Sequence, residues 1–312
     1  MKRVLSIIVV LLVLSLAGLA MAKGDGNKAF RVEKGARIAN GVSSNTIRLD
    51  DGSYRMYYTG EGIMVADSTD GKTFTNNRVA LDQPTVQAVF SNITQISNSA
   101  IIKLNDGTYR MIFEGRSGDD RRLYSATSAD GLTNWKVEAG VRLEDNGDGP
   151  NIFNSVPEII RLADGRLRMY YCTGLKTKSA ISSDEGLTWT KEGAIKLNKK
   201  MGSLVDADVT KIGKKYVLLF ANLPGAGGDK GKGKAKGKKS FKGAASSKYQ
   251  RIYRAYSTDG RNFKYSGLVI SAKNKHTMDP DMVKIAGKNK YRIYFSYWKA
   301  DTSTNILSAL YR

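Results

Sequence analysis

The sequence has little of the chemistry that many enzyme classes need, because its 312 residues include one cysteine and one histidine. A single cysteine, Cys172, excludes an internal disulfide, so the fold must depend on its core. Cys172 lies in the apolar run RMYYCTG and is interpreted as a small buried side chain. The single histidine, His276, argues against triad hydrolases and against metal sites built from several histidines.

A long apolar segment is also missing after the first residues of the chain. The start combines Met1-Lys2-Arg3 with an apolar run over 4–17 and an A-x-A site at 20–22, the pattern of a signal peptide. That run is shorter than the about 20 residues that a spanning helix needs. Cleavage after residue 22 is therefore favoured over an uncleaved anchor. We expect a secreted or periplasmic protein with no transmembrane segment after cleavage.

Acidic residues are scarce relative to basic ones, and the formal net charge is +21. The signal segment carries +2 and residues 227–248 carry +7, which leaves +12 on the rest. A basic surface favours an anionic partner such as an acidic polysaccharide, lipid headgroups or nucleic acid, although it also serves solubility. We expect a carbohydrate partner, neutral or anionic, no nucleic acid, and a monomer. The Gly/Lys-rich residues 225–247 predict a disordered insertion, either a solvated loop or a polybasic tether.

Two short phrases recur along the chain. The phrase S-x-D-G, followed by an aromatic residue, occurs at 68–74, 128–135 and 257–263, and a copy with one more residue before the glycine occurs at 182–189. A hairpin phrase, such as TIRLDDGSYRMYYTG at 46–60, occurs five times. Its turn glycines are separated by 55, 58, 48 and 74 residues and are Gly52, Gly107, Gly165, Gly213 and Gly287. A period near 50 residues is typical of repeated supersecondary units.

Each unit predicts four antiparallel strands, because tight-turn residues separate runs rich in β-branched and aromatic side chains. Four such strands make one blade of a β-propeller. The fifth unit lacks a fourth strand at the C-terminus, and FRVEKGARI at 30–38 matches the missing one. We therefore predict an all-β, five-bladed β-propeller spanning residues 23–312 as one domain, closed by its N-terminal strand. Closure would hide the free sheet edges.

These motifs resemble two groups of propellers. The phrase SSDEGLTW at 182–189 resembles the Asp-box of sialidases, which implies turn aspartates with a structural role. The five hairpins and the DPDMVKI segment at 279–285 resemble five-bladed arabinanases, invertases and levansucrases. That resemblance implies three carboxylates at the starts of the innermost strands, which serve as base or nucleophile, as acid and as a helper that tunes the others.

Aligning the innermost strands on their Arg/Lys-Leu/Ile ends gives five equivalent residues, called here the aligned positions. They are Asn45, Ala100, Glu158, Asp208 and Asp281. The preceding positions, two residues earlier, are Ser43, Asn98, Val156, Asp206 and Asp279. Blades one and two lack the acids that the resemblance implies. The predicted catalytic residues are therefore Glu158 as acid with Asp208 or Asp281 as base, and Asn45, Asn98, Asp206 and Asp279 are predicted to bind substrate.

The clustered carboxylates permit acid/base catalysis or divalent cation binding, and they equally permit strand capping and pairing with lysines. We expect no cofactor, with Ca²⁺ at the channel mouth as the alternative. His276 and Trp298 are further predicted substrate contacts, against an incidental histidine and an inter-blade tryptophan. The arginines that recur in the second strands are interpreted as structural: Arg55, Arg110, Arg168 and Arg292.

The predicted function is thus an exported glycoside hydrolase-like enzyme that acts on poly- or oligosaccharides. The alternative is a non-catalytic propeller that binds an anionic glycan, a cell-envelope polymer or a protein. Missing acids in blades one and two favour the alternative, whereas the acids of blades three to five favour hydrolysis.

Overall fold

The computed structural model describes residues 30–146, 152–223, 249–298 and 304–311. The predicted signal peptide and the Lys-rich insertion lie outside these ranges and stay predictions. Two short strands come first, β1 (Phe30–Val32) and β2 (Ile38–Ala39). Blade one follows with β3 (Val42–Arg48), β4 (Tyr54–Thr59), β5 (Ile63–Ser68) and β6 (Thr75–Leu81). A one-turn helix, α1 (Gln83–Gln87), capped by the side chain of Asp82, leads into blade two.

The remaining blades repeat the same order of four antiparallel strands. Blade two has β7 (Gln95–Lys103), β8 (Tyr109–Ser117), β9 (Asp120–Ser128) and β10 (Lys136–Val137). Blade three has β11 (Ser155–Arg161), β12 (Leu167–Thr173), β13 (Lys176–Ser182) and β14 (Thr190–Ala194). Blade four adds β15 (Lys196–Leu197) to β16 (Val205–Ile212), β17 (Lys215–Ala221), β18 (Ile252–Ser257) and β19 (Asn262–Ile270). Blade five has β20 (His276–Lys284), β21 (Tyr291–Trp298) and β22 (Asn305–Tyr311).

The five innermost strands form a closed ring, because each of β3, β7, β11, β16 and β20 contacts the next and β20 contacts β3. The predicted five-bladed propeller is confirmed. Its core consists of the Tyr-, Met- and Phe-rich second strands, which are buried between neighbouring blades. No helix in the described parts of the chain is long and apolar enough to cross a membrane.

The N-terminal strand closes the ring as predicted. Strand β1 pairs with β22, and Phe30 stacks on Tyr311 with ring centroids 4.9 Å apart. The predicted strand over 30–38 is too long, because pairing stops after Val32 and resumes at Ile38 as β2. Gly35 lies between them with φ of 81°, a left-handed conformation that interrupts an extended strand.

The S-x-D-G aspartates are turn residues, as predicted. In blade one, Asp70 Oδ1 accepts hydrogen bonds from the N–H groups of Lys72 and Thr73, and Ser68 Oγ accepts the N–H of Gly71. The other three copies have the same aspartate and serine bonds to their turn amides. These aspartates therefore fix turns at the end of each blade opposite the starts of the innermost strands.

The recurring arginines join each blade to the turn of the next. Arg292 pairs with Glu33 at 2.7 Å and donates to the carbonyl of Asp70 at 2.9 Å, while Tyr294 donates to the carbonyl of Gly71 at 2.7 Å. The equivalent arginines that pair with a carboxylate and reach the following turn are Arg55, Arg110 and Arg168. Their structural role, predicted from the repeat, is confirmed.

Blade four has Val217 where the other blades have this arginine. In the described part of blade five, no S-x-D-G turn follows β22. Arg254 instead lies over the rings of Phe30, Tyr256 and Tyr311, at 5.2, 4.9 and 5.6 Å from their centroids. A cation–π cluster thus links blade four to the strand that closes the ring.

Candidate functional site

All five innermost strands are bulged at the same place. Register shifts occur at each preceding position, and the residues there have φ between 47° and 52°: Ser43, Asn98, Val156, Asp206 and Asp279. Positive φ is rare for residues with a side chain, and especially for a β-branched valine. Bulges commonly redirect side chains beside functional sites. The sequence alignment therefore located equivalent residues correctly, but it did not reveal the bulge.

Three of the five bulges have a hydrogen bond from the bulged N–H to a side chain of the preceding blade. The N–H of Ser43 donates to Ser296 Oγ at 2.9 Å, and the N–H of Asn98 donates to Thr59 Oγ1 at the same distance. In blade four, the N–H of Asp206 donates to Cys172 Sγ at 3.2 Å. Cys172 is buried as predicted, and burial raises its pKa. Its role is therefore to accept a hydrogen bond from the strand that carries two of the candidate aspartates.

The half-buried Glu158 and the buried Asp208 and Asp281 come together as one group, called here the inner cluster. Burial raises the pKa of Glu158 well above its ordinary value, and the charges of Asp208 and Asp281 raise it further. Burial and the charge of Asp281 likewise raise the pKa of Asp208, whereas burial raises that of Asp281 to about 6. No ion pair between described residues includes any of the three. The predicted pairing with lysines is therefore not found there.

Hydrogen bonds across blade boundaries hold the aligned positions. Asn45 Oδ1 accepts the N–H of Ile101 in the next blade at 2.9 Å. Asp208 Oδ1 accepts the N–H of Met282 at 3.1 Å, and Asp281 Oδ2 accepts Thr46 Oγ1 at 2.6 Å. Each bond runs from one inner strand to a residue inside a neighbouring inner strand, so these side chains link the inner strands. Strand-end capping, one of the alternatives from the sequence, is not what these bonds provide.

Two carboxyl oxygens of the inner cluster differ in their hydrogen bonding. Asn45 Nδ2 donates to Glu158 Oε2 at 3.0 Å, which orients the Glu158 carboxyl. Asp208 Oδ2 is fully buried and has no hydrogen-bond partner among the described residues. An unpartnered buried carboxylate oxygen is costly, so a proton on this group is strongly favoured. The carboxyls of the cluster therefore tend to be protonated at a pH where exposed carboxyls are ionised.

Asp206 and Asp279 form a second pair, called here the rim pair. Burial raises the pKa of both, and the charge of Asp279 adds to the rise at Asp206. The hydroxyls of Ser43 and Ser296 hydrogen-bond to Asp279 and counteract its rise. Two coupled carboxyls in such a site titrate together, so the pair shares protons over a broad pH range.

A small cavity lies between the inner cluster and the outside. Its volume is about 20 Å³, enough for one water molecule. Its lining includes Glu158, Asp206 and Asp279, together with Asn45 and Asn98. Asp208 and Asp281 do not line it. The predicted acid is therefore at the cavity, whereas the two predicted bases lie behind it and the two predicted substrate-binding aspartates face it.

The predicted contacts His276 and Trp298 are neighbours above the rim pair. They are cross-strand partners in blade five, with ring centroids 5.0 Å apart, and Tyr249 stands edge-on to His276 at 5.3 Å. His276 Nδ1 accepts the N–H of Gln250 at 3.3 Å, and Gln250 Nε2 reaches Asp206 Oδ2 at 3.4 Å. Burial lowers the pKa of His276. Gln250 thus links this aromatic group to the rim pair.

Glu114 is a participant that the sequence analysis missed. It is buried, pairs with Arg121 at 3.1 Å and accepts a hydrogen bond from Asn98 Nδ2 at 2.7 Å. Asn98 Nδ2 also lies 3.3 Å from Ser155 Oγ, and the Ser155 hydroxyl donates to Glu114. A glutamate inside the apolar run RMIFEG was the available signal. Unlike the inner cluster, this carboxylate is neutralised by an arginine.

Within the four described ranges, no group of three or more His, Cys, Asp or Glu side chains has the geometry to hold a metal ion. Calcium at the channel mouth stays a prediction of the sequence.

Comparison with known proteins places this geometry in context. No family model matches the sequence, and no curated protein matches it. Solved structures do match. A GH43 β-xylosidase/α-arabinofuranosidase from a compost metagenome has 13% identity and a TM-score of 0.61, over 90% of this chain and 94% of that one. This chain shares its five-bladed fold.

Two further structures agree. An exo-1,5-α-L-arabinanase from a bovine ruminal metagenomic library has 15% identity and a TM-score of 0.61, over 90% of this chain and 95% of that one. A GH43_1 enzyme from Xanthomonas citri, solved with xylotriose, has 11% identity and a TM-score of 0.64, over 89% and 90%. The resemblance predicted from the hairpin motifs is thus confirmed for the fold. At these identities, the comparison does not assign the residues of the site.

Proposed function

We propose that this protein is a glycoside hydrolase that acts on poly- or oligosaccharides at the mouth of its central channel. The observation that carries the proposal is the inner cluster, which brings a partly accessible Glu158 next to two buried aspartates. No ion pair formed by the described residues includes any of these three carboxyls. Glycoside hydrolysis needs one carboxylic acid that stays protonated near neutral pH. Burial and like charge, the two effects found here, are the effects that keep such an acid protonated.

In this proposal Glu158 is the general acid. Its Oε2 is held by Asn45, and its carboxyl borders the cavity. It donates its proton to the glycosidic oxygen as the bond to the anomeric carbon breaks. Asp208 and Asp281 lie behind it and raise its pKa by their charge, so they tune the acid.

The base is assigned to the rim pair in place of Asp208 or Asp281, the bases expected from the sequence. Asp206 and Asp279 line the cavity, whereas the two sequence candidates do not. The cavity has room for one water, which an ionised member of the pair would activate for attack on the anomeric carbon. The sugar itself would lie above this cavity, against the rings of His276, Trp298 and Tyr249.

The proposal extends to substrate and location. Structural neighbours were solved with xylotriose and arabinohexaose, which supports an oligosaccharide as the class of ligand. If residues 1–22 act as a signal peptide, the enzyme works outside the cytoplasm, where such polymers are found.

The test is hydrolysis of a panel of oligosaccharides by the full-length protein and by Glu158→Gln. We expect the variant to lose at least about a hundredfold in rate, because a general acid contributes roughly 10²- to 10⁴-fold. Its thermal unfolding should match that of the wild type, because the native Glu158 is already protonated. Glu61→Gln, at an exposed glutamate between β4 and β5, is the control and should keep full activity. Full activity of Glu158→Gln would show that Glu158 is not the general acid.

A second candidate function is carbohydrate binding without cleavage. The specific observation in its favour is that Asp208 and Asp281 hold Met282 and Thr46 of the next blade, so part of the cluster has a structural use. Blades one and two also have Asn45 and Ala100 at the aligned positions. Binding of an oligosaccharide by the wild type with no product formed from any member of the panel would favour this second function.

A further inference from the structure

A larger groove lies beside the channel mouth, between blades three and four. Its volume is about 580 Å³, within the about 300–1,000 Å³ that small-molecule sites occupy. The hairpin between β12 and β13 forms one wall, and residues 199–204, which lead into β16, form the other. Both segments are at the end of the blades where the innermost strands begin.

The groove adjoins the rim pair through the chain itself. Thr173 in its wall directly follows Cys172, whose Sγ accepts the N–H of Asp206. Leu204 in the opposite wall is two residues before Asp206 and accepts a hydrogen bond from Thr177 Oγ1 at 2.9 Å through its carbonyl. The residues that line the groove and those that line the cavity are thus separated by only a few positions along the two strands.

The lining of the groove is basic and apolar. Among the described residues that line it, three are lysines, Lys176, Lys199 and Lys200, and none is acidic. Lys199 is half-buried, with its Nζ 4.0 Å from the ring centroid of Tyr265, so the ammonium group is held in place before any ligand binds. Lys200 is exposed beside it. Met201 and Leu175 supply the apolar surface.

One polar atom in the groove wall also lacks a partner. Thr173 is 4% exposed, and its Oγ1 has no hydrogen bond among the described residues. Buried hydroxyls are normally satisfied, so an unpaired one in a cavity wall is consistent with a missing ligand group. The groove thus combines fixed positive charge, apolar surface and a hydroxyl in need of a partner.

We infer that this groove binds an acidic sugar unit of the substrate, with its carboxylate between Lys199 and Lys200. The inference rests on the proposed function for the class of substrate, an oligosaccharide, and it adds the charge of that substrate. The basic body of the chain complements such a ligand and raises its local concentration. Thr173, Leu175 and Met201 contact the sugar ring in this arrangement.

The experiment measures binding by calorimetry in the Glu158→Gln background, so the result does not depend on cleavage. The probes are trigalacturonic acid and its fully methyl-esterified form, which has the same sugars without the charge. The double variant Lys199→Gln/Lys200→Gln should bind the acidic probe about tenfold or more weakly, because hydrogen bonds to charged groups are lost. The matched control is Lys288→Gln/Lys290→Gln, two exposed lysines at the hairpin of blade five on the opposite end.

Support requires tight binding of the acid, weaker binding of the ester, and a loss confined to the groove variant. Added salt should weaken the binding of the acidic probe to Glu158→Gln, because these lysines are near solvent. The inference is overturned if the acid does not bind, if acid and ester bind equally, or if both double variants lose the same affinity. If the wild type hydrolyses no oligosaccharide, the enzymatic proposal is wrong. The binding results still decide whether the groove binds an acidic sugar.

Discussion

Replacing Asp281 by asparagine should change how the stability of the protein depends on pH. Burial raises the pKa of Asp281 from 3.8 to about 6, so the folded protein holds this proton more tightly than the unfolded chain. The resulting stabilisation is fully present below the unfolded pKa near 4 and is lost as the pH rises through about 6. Asparagine cannot titrate, yet its Oδ1 can still accept the hydrogen bond of Thr46 Oγ1.

The magnitude follows from the rise in pKa. Each tenfold change in proton affinity corresponds to about 1.4 kcal/mol, so the rise to about 6 corresponds to about 3 kcal/mol. Through the Asp281 carboxyl alone, the free energy of unfolding of Asp281→Asn minus that of the wild type should therefore increase by about 3 kcal/mol between pH 4 and pH 7. Asp208 and Glu158 should increase this difference further, because the charge of Asp281 raises the pKa of both in the wild type.

Chemical denaturation followed by tryptophan fluorescence at several pH values measures this difference. The matched control is Asp119→Asn, whose side chain is 80% exposed and whose difference from the wild type should stay flat across the same range. Parallel curves for Asp281→Asn and the wild type would refute the reasoning, because they would mean that the Asp281 carboxyl has an ordinary pKa and that the inner cluster is well solvated.

Two further predictions concern the joints between blades. Arg292→Met should cost about 3 kcal/mol by removing the buried partner of Glu33, which would keep only the Ser308 hydroxyl and the more exposed Lys72 at 3.9 Å. Arg78→Met, whose ion pair is about one-third exposed, should cost less than about 1 kcal/mol. Equal costs in denaturation curves would contradict this. Gly71→Ala should cost about 3 kcal/mol, because its φ is 67° and a Cβ would lie 2.6 Å from Arg292 Nη1. Gly107→Ala has φ of 87° but no atom within 4 Å, so calorimetric melting should show only about 1 kcal/mol.

Most of the fold could be predicted because its signals are local. The D-G turns and the S-x-D-G turns depend on residues a few positions apart, and their repetition gave the number of blades. The N-terminal closure followed from a match between FRVEKGARI and the fourth strands. The interruption of this N-terminal strand between Val32 and Ile38 could not be predicted, because pairing there depends on the partner strand β22.

The candidate site could be predicted in part. The alignment of inner strands brought Glu158, Asp208 and Asp281 together and put Asp206 and Asp279 beside them. It could not say which of them face the cavity, because that depends on the bulge in each strand. It also missed Glu114, which contacts Asn98 from a second strand and is neutralised by Arg121.

The sequence by itself determined a five-bladed ring that gathers acidic residues of three blades at its centre, since turn chemistry and strand periodicity are encoded within each repeat. Only the tertiary structure decided what those acids experience. Left-handed residues such as Asp206 and Asp279 bulge the inner strands, and the surrounding blades bury Asp208 and Asp281 fully and Glu158 partly. No cationic side chain of the described residues forms an ion pair with these carboxyls. Proton affinity depends on desolvation and on charges from other blades, which no single repeat contains.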